Sequence, residues 1–360
     1  MGPARPLPKY CQLKEYIKEA IRRGDIAPGA RLPSENLLVR QFGVSRHTAR
    51  QAMMDLAKEG VVYRQQGKGT FCSHPKMAGR GKIAVLTTYL SDYIFPGIIR
   101  GVEEVVTAAG YGLILANTNN HKAKEAQCVV SLIKDQIAGL IVEPTKSAEK
   151  NVNLAYYKEL ERRSIPYIMV NAAYPDLDSA YVVMDDEGGG YVVTNYLLRL
   201  GHRRIAGIFK MDDLQGIHRR RGFIRALAEY GMVAEADLLG GYGTGQWRAE
   251  PYQFARRILQ GARRPSAIVC YNDQIALQVL DAVRDQGLRV PDDVSLTGYD
   301  DSALAVASEV KLTTVRHPKA EMGRRAAAVL LDMMDGRGKQ TRFVYRPELV
   351  LRSSCRRVGD

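Results

Sequence analysis

Two sets of side chains carry the chemistry legible in this sequence. The first is Ser45, Arg46, His47 and Arg50, crowded into one short stretch near the start of the chain. An arginine fork can read a guanine edge with two hydrogen bonds, and a serine hydroxyl can bind a phosphate. Nearby, Gln66-Gly67-Lys68-Gly69 sets a basic group among glycines, whose missing side chains let a backbone approach a narrow groove. The second set is dispersed: Tyr89, Tyr93, Glu143, Asn171, Arg219, Asn272 and Asp300. Aromatic faces combined with charged or amide groups that hold paired hydroxyls are the makings of a sugar site. Arg219, Asp300 and Glu143 are its strongest candidates.

The first set needs a helix start to present it. Leu13, Ile17, Ala20 and Ile21 have helical spacing and predict a helix over 10–23. Ser34, just after Pro33, opens a second helix over 35–42 that stops at Gly43. Ser45 then caps a third running to about 58, with Ala49, Ala52, Met53 and Leu56 as its buried stripe. Two short strands, near 61–63 and 67–71, follow around a glycine turn. Helix, turn, helix and hairpin is an arrangement that lays the first turns of the third helix in a DNA major groove. Charge agrees: residues 1–80 hold 15 Lys and Arg against 6 Asp and Glu, so most of the net +13 lies there. A basic module on a nearly neutral body is the footprint of a nucleic-acid binder. A membrane-surface patch or a helical adaptor would share the charge, but not the helix order and the glycine wing.

Residues 73–82 (SHPKMAGRGK) have no apolar periodicity and read as a linker. From there on strands and helices alternate. Strands are expected at 83–89, 112–118, 139–144, 166–171, 203–209, 266–272 and 293–300. Helices are expected at 97–109, 122–136, 154–163, 189–200, 219–230 and 274–286. Short apolar strands between helices indicate buried parallel sheets. The segment is too long for one such sheet, so two α/β lobes around a cleft are expected. Ligands of doubly wound sheets lie beyond the C-terminal strand ends. Tyr89, Tyr93, Glu143, Asn171, Asn272 and Asp300 fall at such ends, and Arg219 starts a helix close by.

With those motifs in view, residues 28–71 resemble the winged helix-turn-helix of the GntR family of bacterial regulators, in the LPSE turn, the VSRHTAR helix start and the GKGTF wing. The resemblance implies operator contacts by Arg46, His47, Thr48 and Arg50, assisted by Lys9, Arg40, Gln66 and Gly67. Asn36 stands where many members carry arginine. The rest resembles LacI/GalR repressors and periplasmic sugar-binding proteins, through GHRRIAGI (201–208), RRRGF (219–223), YNDQIA (271–276), VPDDVSLTGYDD (290–301) and LTTVRHP (312–318). It implies effector contacts by Arg219, Asn272 and Asp300, with Asn171 where some members use aspartate and His317 on a crossover between lobes. The pairing of this head with this body, and the segments 89–101, 118–120, 139–147 and 309–319, resemble arabinose-type repressors of Gram-positive bacteria. That implies L-arabinose as the effector.

The expected fold class is therefore multidomain: a small α+β winged helix-turn-helix over 1–72, a linker over 73–82, and a two-lobed α/β domain, like periplasmic binding proteins and with parallel sheets, over 83–360. The last is expected to bind the sugar and to dimerise. The expected function is a cytoplasmic repressor of sugar-utilisation genes that binds double-stranded operator DNA as a homodimer and is released by a monosaccharide. A sugar-active enzyme and a periplasmic-type sugar-binding protein are the alternatives. The first lacks a P-loop, a G-x-S-x-G elbow, an HExxH helix and a GxGxxG turn. The second leaves the basic head unexplained, and MGPARPLPKY has no apolar signal core. No membrane association, metal or cofactor is expected. The five cysteines are scattered, which suits reduced thiols. Asp185-Asp186-Glu187 before three glycines reads as a capped helix start rather than a metal site. Asp273 and Asp301 read as N-caps, His202 as a solvated strand entry, and Trp247 as a stacking platform or a packing residue.

Overall fold

Serine hydroxyls open two of the helices that begin the chain. The structure, a computed structural model, describes residues 8–23, 25–27, 29–65, 69–72, 81–90, 93–261, 263–337 and 341–359. It divides into one unit of Met1–Arg80 with Gly110–Gly112 and another of Gly81–Ala109 with Leu113–Asp360. In the first unit α1 spans Lys9–Arg22, α2 Glu35–Phe42 and α3 Arg46–Lys58. Ser34 Oγ accepts from Leu37 N and Ser45 Oγ from Thr48 N, each satisfying a free amide of a first turn. Between them Gly43 takes φ +59°, a left-handed conformation glycine adopts without strain, and the chain turns from α2 into α3. Strands β1 (Val62–Gln65) and β2 (Gly69–Cys72) pair antiparallel, with Val62 opposite Cys72 and Gln65 opposite Gly69. Leu13, Ile17, Leu38, Ala49, Ala52, Met53, Leu56 and Val62 form one buried core beneath these elements.

The second unit contains two lobes. The N-lobe is built on a six-stranded sheet in the order β13-β7-β6-β5-β3-β4. Its elements are β3 (Lys82–Thr87), α4 (Phe95–Ala108), β4 (Gly112–Asn117), α5 (Lys122–Lys134), β5 (Gly139–Val142), α6 (Leu154–Arg162), β6 (Tyr167–Val170) and β7 (Ala180–Met184). The chain then crosses into the C-lobe, with α7 (Asp186–Arg199), β8 (Ile205–Lys210), α8 (Leu214–Glu229), β9 (Leu239–Tyr242), α9 (Glu250–Leu259), β10 (Ala267–Cys270), α10 (Asp273–Asp285), β11 (Ser295–Thr297) and β12 (Thr314–Val315). It returns through α11 (Lys319–Met334) and β13 (Arg342–Tyr345), and crosses once more to β14 (Leu349–Val350), which pairs antiparallel with β12. The C-lobe sheet runs β11-β10-β8-β9, all parallel. Strands β13, β7, β6, β5 and β3 of the N-lobe are parallel too.

The packing of α7 on α8 sets the position of Arg219. A Cβ on Gly190 would stand 2.1 Å from the Arg219 carbonyl oxygen, and one on Gly222 1.9 Å from that of Glu187. Only glycine permits backbones this close, and the contact sets Arg219 beside Asp186 at the start of α7. Asp185 caps α7 through Gly188 N at 2.8 Å, the capped start expected of that acidic run.

Several expectations change. The helix expected over 219–230 begins at Leu214, so Arg219 lies on its second turn and does not open it. Lys82, expected in the linker, begins β3; residues 73–80 lie outside the described residues. His202 is buried, not solvated: its ring contacts Ser266 Oγ at 2.9 Å and the Arg356 carbonyl at 3.1 Å, tying the C-terminal segment to the C-lobe. Asn272, not Asp273, caps α10. The Asp273 carboxylate instead accepts from Ser302 N, Ser302 Oγ and Thr314 Oγ1. Asp301 pairs with Arg352 and Arg316. Elements β7, β9, α9, β12, α11, β13 and β14 were not expected.

Candidate functional site

On the first unit, α3 leaves its opening turns in solvent. Ser45, Arg46, His47 and Arg50 are exposed, while Ala49, Ala52 and Met53 behind them are buried. Arg46 and Arg50 stand one turn apart on the same face. Arg40, at the end of α2, and Lys9, at the start of α1, are exposed as well. None of these cations has an ion pair among the described residues. Thr48 is half-buried and its hydroxyl is 2.8 Å from Ser45 Oγ, the cap of the helix; one hydroxyl proton is spent between the two and the other is left for an outside acceptor. Tyr63 stacks on Phe71 with ring centroids 5.6 Å apart, and Arg64 reaches Glu35 at 2.8 Å, bracing the hairpin. Gln66 and Gly67 lie outside the described residues.

In the second unit, Tyr89, Tyr93, Glu143, Asn171, Arg219, Asn272, Asp300 and His317 all line one cavity of about 130 Å³ between the lobes. Three polar groupings face it. In the N-lobe, Glu143 follows β5, and its Oε2 accepts from Thr88 N at 3.0 Å and from the Thr88 hydroxyl. Its Oε1 accepts from Asn171 Nδ2 at 2.8 Å. With that amide committed, Asn171 Oδ1 takes the proton of His317 Nε2 at 3.0 Å. The imidazole therefore keeps a bare Nδ1, which is buried without a partner. Burial holds the ring neutral, pushing its pKa down to about 4. Burial likewise raises the Glu143 carboxyl, and the hydrogen bonds from Thr88 and Asn171 oppose that rise.

The C-lobe supplies the second grouping. Arg219 Nε donates to Asp186 Oδ1 at 2.8 Å and Nη1 to the Tyr271 carbonyl at 2.8 Å, while Nη2 lies 3.6 Å from Asp300 Oδ1. Its guanidinium lies over Tyr299, 3.5 Å from the ring centroid, and 4.7 Å from that of Tyr271. Flanked by two carboxylates and two rings, Arg219 stays charged although only 4% exposed. Burial pushes the Asp186 carboxyl up to about 6 against the pull of Arg219. Asp300 sits at φ +94°, and its Oδ1 accepts no hydrogen bond. Asn272 uses its Oδ1 to cap α10 through Ile275 N at 3.0 Å.

The third grouping was missed in the sequence. Lys210, at the end of β8, is buried with its Nζ 3.2 Å from Asp212 Oδ1 and paired with Asp213, and both Lys210 and Asp213 line the cavity. A lysine closing an apolar strand, one methionine ahead of two aspartates, was the available signal. The walls are aromatic: Tyr89, Tyr93, Phe95, Tyr271 and Trp247, the one tryptophan of the chain, all line the space. Tyr93 OH donates to the Tyr299 carbonyl at 2.9 Å and accepts from Asp273 N at 3.1 Å, a contact from N-lobe to C-lobe. Each lining cation is already matched by carboxylates. The cavity thus offers hydrogen-bond donors, acceptors and flat apolar faces to a small neutral ligand. Among the described residues no cluster of His, Cys, Asp and Glu could hold a metal ion, and no helix is long and apolar enough to cross a membrane.

A winged helix-turn-helix with a bare basic helix start, in a chain whose α/β lobes enclose a polar cavity, defines a ligand-responsive transcriptional regulator. Residues 9–72 match the model of bacterial regulatory proteins of the gntR family, and residues 194–355 that of the periplasmic binding protein-like domain. The chain is 48% identical over 361 residues, 98% of its length and 99% of theirs, to the arabinose metabolism transcriptional repressor of Geobacillus stearothermophilus. It is 45% identical over 360 residues, 96% of each, to that of Halalkalibacterium halodurans. Among solved structures it resembles a complex of the transcriptional regulator CelR with cellobiose (TM-score 0.67, 25% identity, 86% of this chain and 91% of that one). A LacI family regulator of Enterococcus faecium with bound ribose is similar too (TM-score 0.67, 25% identity, 76% and 98%). The chain belongs to the family of arabinose metabolism transcriptional repressors, and it is a sugar-responsive repressor.

Proposed function

We propose that this chain represses sugar-utilisation genes in the cytoplasm by binding a two-fold operator as a homodimer, and that L-arabinose in the interlobe cavity releases it. The observation that carries this reading is the cavity itself. Glu143, Asn171 and His317 from one side face Arg219 and Asp300 from the other, with Tyr89, Tyr93 and Asn272 between them. About 130 Å³ is room for several waters, a space on the scale of one monosaccharide. His317 Nδ1 and Asp300 Oδ1 are buried acceptors that sugar hydroxyls would satisfy. The relatives named for arabinose metabolism supply the choice of sugar.

On the DNA side, Arg46, His47 and Arg50 are the base-reading candidates. Lys9, Arg40, Ser45, Thr48 and the wing residues Gln66 and Gly67 serve the phosphate backbone and the groove. Two heads on a dimer match two half-sites about one helical turn, or a multiple of it, apart. The relatives are named as repressors, and the chain is read as acting by binding rather than by catalysis.

The test is a gel shift of the full chain on promoter DNA of its own arabinose genes, with and without saturating L-arabinose. Release by arabinose, with D-glucose inactive, is the expected result. Operator affinity unchanged by arabinose would overturn the effector assignment.

A further inference from the structure

Asn120 lies outside the cavity lining, yet it is fully buried and its side chain is divided between the two lobes. It stands between β4 and α5 at φ +56°, held by its own N–H on Thr118 Oγ1 at 3.1 Å. Within the N-lobe its Oδ1 accepts from Lys146 N at 2.7 Å. That bond fixes the amide so that both Nδ2 protons point across the cleft. One goes to Thr244 Oγ1 at 2.7 Å and the other to Asp213 Oδ1 at 3.3 Å, both on the C-lobe. The same Asp213 carboxylate pairs through its other oxygen with Lys210, which lines the cavity. Beside this cluster Ser147 Oγ of the N-lobe accepts from Leu214 N, the first residue of α8, at 2.9 Å.

We propose that Asn120 is a positioning residue for effector response, a clasp that holds the lobes closed and is joined to the cavity through Asp213 and Lys210. Its bonds to Asp213 and Thr244 exist only while the lobes are together, so they favour the closed arrangement and nothing else. A ligand hydroxyl that engages Lys210 or Asp213 orders the carboxylate that Asn120 needs. Binding and closure therefore reinforce one another, and a ligand shifts the equilibrium only as far as it prefers the closed state. This inference rests on the reading of the cavity as the effector site.

The experiment is a double-mutant cycle in the full-length chain with Asn120→Ala and Thr244→Val, neither residue lining the cavity. L-arabinose affinity is read by calorimetry, and closure by the sugar-induced decrease in radius of gyration in solution scattering. Each single variant should weaken arabinose binding, Asn120→Ala by about tenfold, a size typical of coupling between sites. The double variant should be little worse than Asn120→Ala alone, because both changes break one clasp. Operator affinity without sugar should stay within about twofold of the parent, and the scattering change on adding sugar should shrink. Additive effects in the cycle, or an undiminished scattering change in Thr244→Val, would overturn the clasp. Thr244→Val keeps the question open to refutation even if Asn120→Ala folds poorly. Absence of arabinose binding by the parent chain would instead overturn the effector reading itself.

Discussion

The helix-turn-helix and the interlobe cavity both depend on arginine, and they use it in opposite ways. Arg46 and Arg50 stand in solvent with no ion pair among the described residues. Arg219 is buried, held by Asp186, the Tyr271 carbonyl, Asp300 and two aromatic rings. An exposed guanidinium without an ion pair has no partner to give up on reaching a phosphate, and it gains by releasing counterions. A buried and matched one cannot attract an anion strongly, but it holds its forked donors and its carboxylates rigid for a neutral polyol. The contrast separates the two ligands: polyanion outside, uncharged sugar inside.

Breaking the buried partner should have the largest effect. Arg219→Ala leaves Asp186 and Asp300 without their cation, and it should cost ~3–5 kcal/mol of stability as well as the arabinose response. Thermal unfolding and calorimetry check this. Arg219→Lys, which restores charge but not the fork, should recover most of the stability and little of the sugar affinity. Equal recovery of both would mean that charge alone matters in the cavity.

His317 gives a pH dependence of smaller size. With its folded pKa at about 4 against an ordinary 6.5, the unfolded chain takes up a proton between those values that the folded chain refuses. Its contribution to stability, on the order of 3 kcal/mol, is present above pH 6.5 and lost as pH falls toward 4. Asp186, raised to about 6, and Asp273, raised to about 7, act with the opposite sign, losing stability as pH rises. Comparing His317→Gln with the parent at each pH isolates the histidine. The variant's Tm should gain on the parent's as pH drops from 7 to 4.5, and parallel curves would place the ring in solvent.

On the exposed side, Arg50→Ala should weaken operator binding by ~1–3 kcal/mol if it reads a base. If Arg50 binds phosphate instead, the salt slope should fall by about 1 with no change in sequence preference. Arabinose affinity should not move in either case. A shift in arabinose affinity would break the separation drawn above.

The head was legible nearly to the residue, because Ser34, Gly43 and Ser45 are local signals that act within one turn of chain. The cavity-lining candidates were legible because strand ends in a parallel sheet converge. What stayed hidden depends on partners far away in sequence. The burial of His202 is decided by Ser266 and by the carbonyl of Arg356, which no window around 202 contains. Asp186 was read as part of a helix start, which it is, but its pairing with Arg219 depends on the glycine contact between α7 and α8. Strand β9 escaped because Leu239-Gly240-Gly241-Tyr242 has little strand propensity, and pairing with β8 decides it. Lys210 lies one residue past the strand expected over 203–209, and its place in the cavity depends on Asp212 and Asp213 folding back onto it.

The central claim is that cavity and operator-binding head are thermodynamically linked, and linkage must be reciprocal. The most direct test measures the L-arabinose affinity of the full chain, with Trp247 fluorescence as the reporter, in the absence and presence of saturating operator DNA. The account predicts that operator weakens arabinose binding by the same factor by which arabinose weakens operator binding. An arabinose affinity identical with and without operator would contradict it.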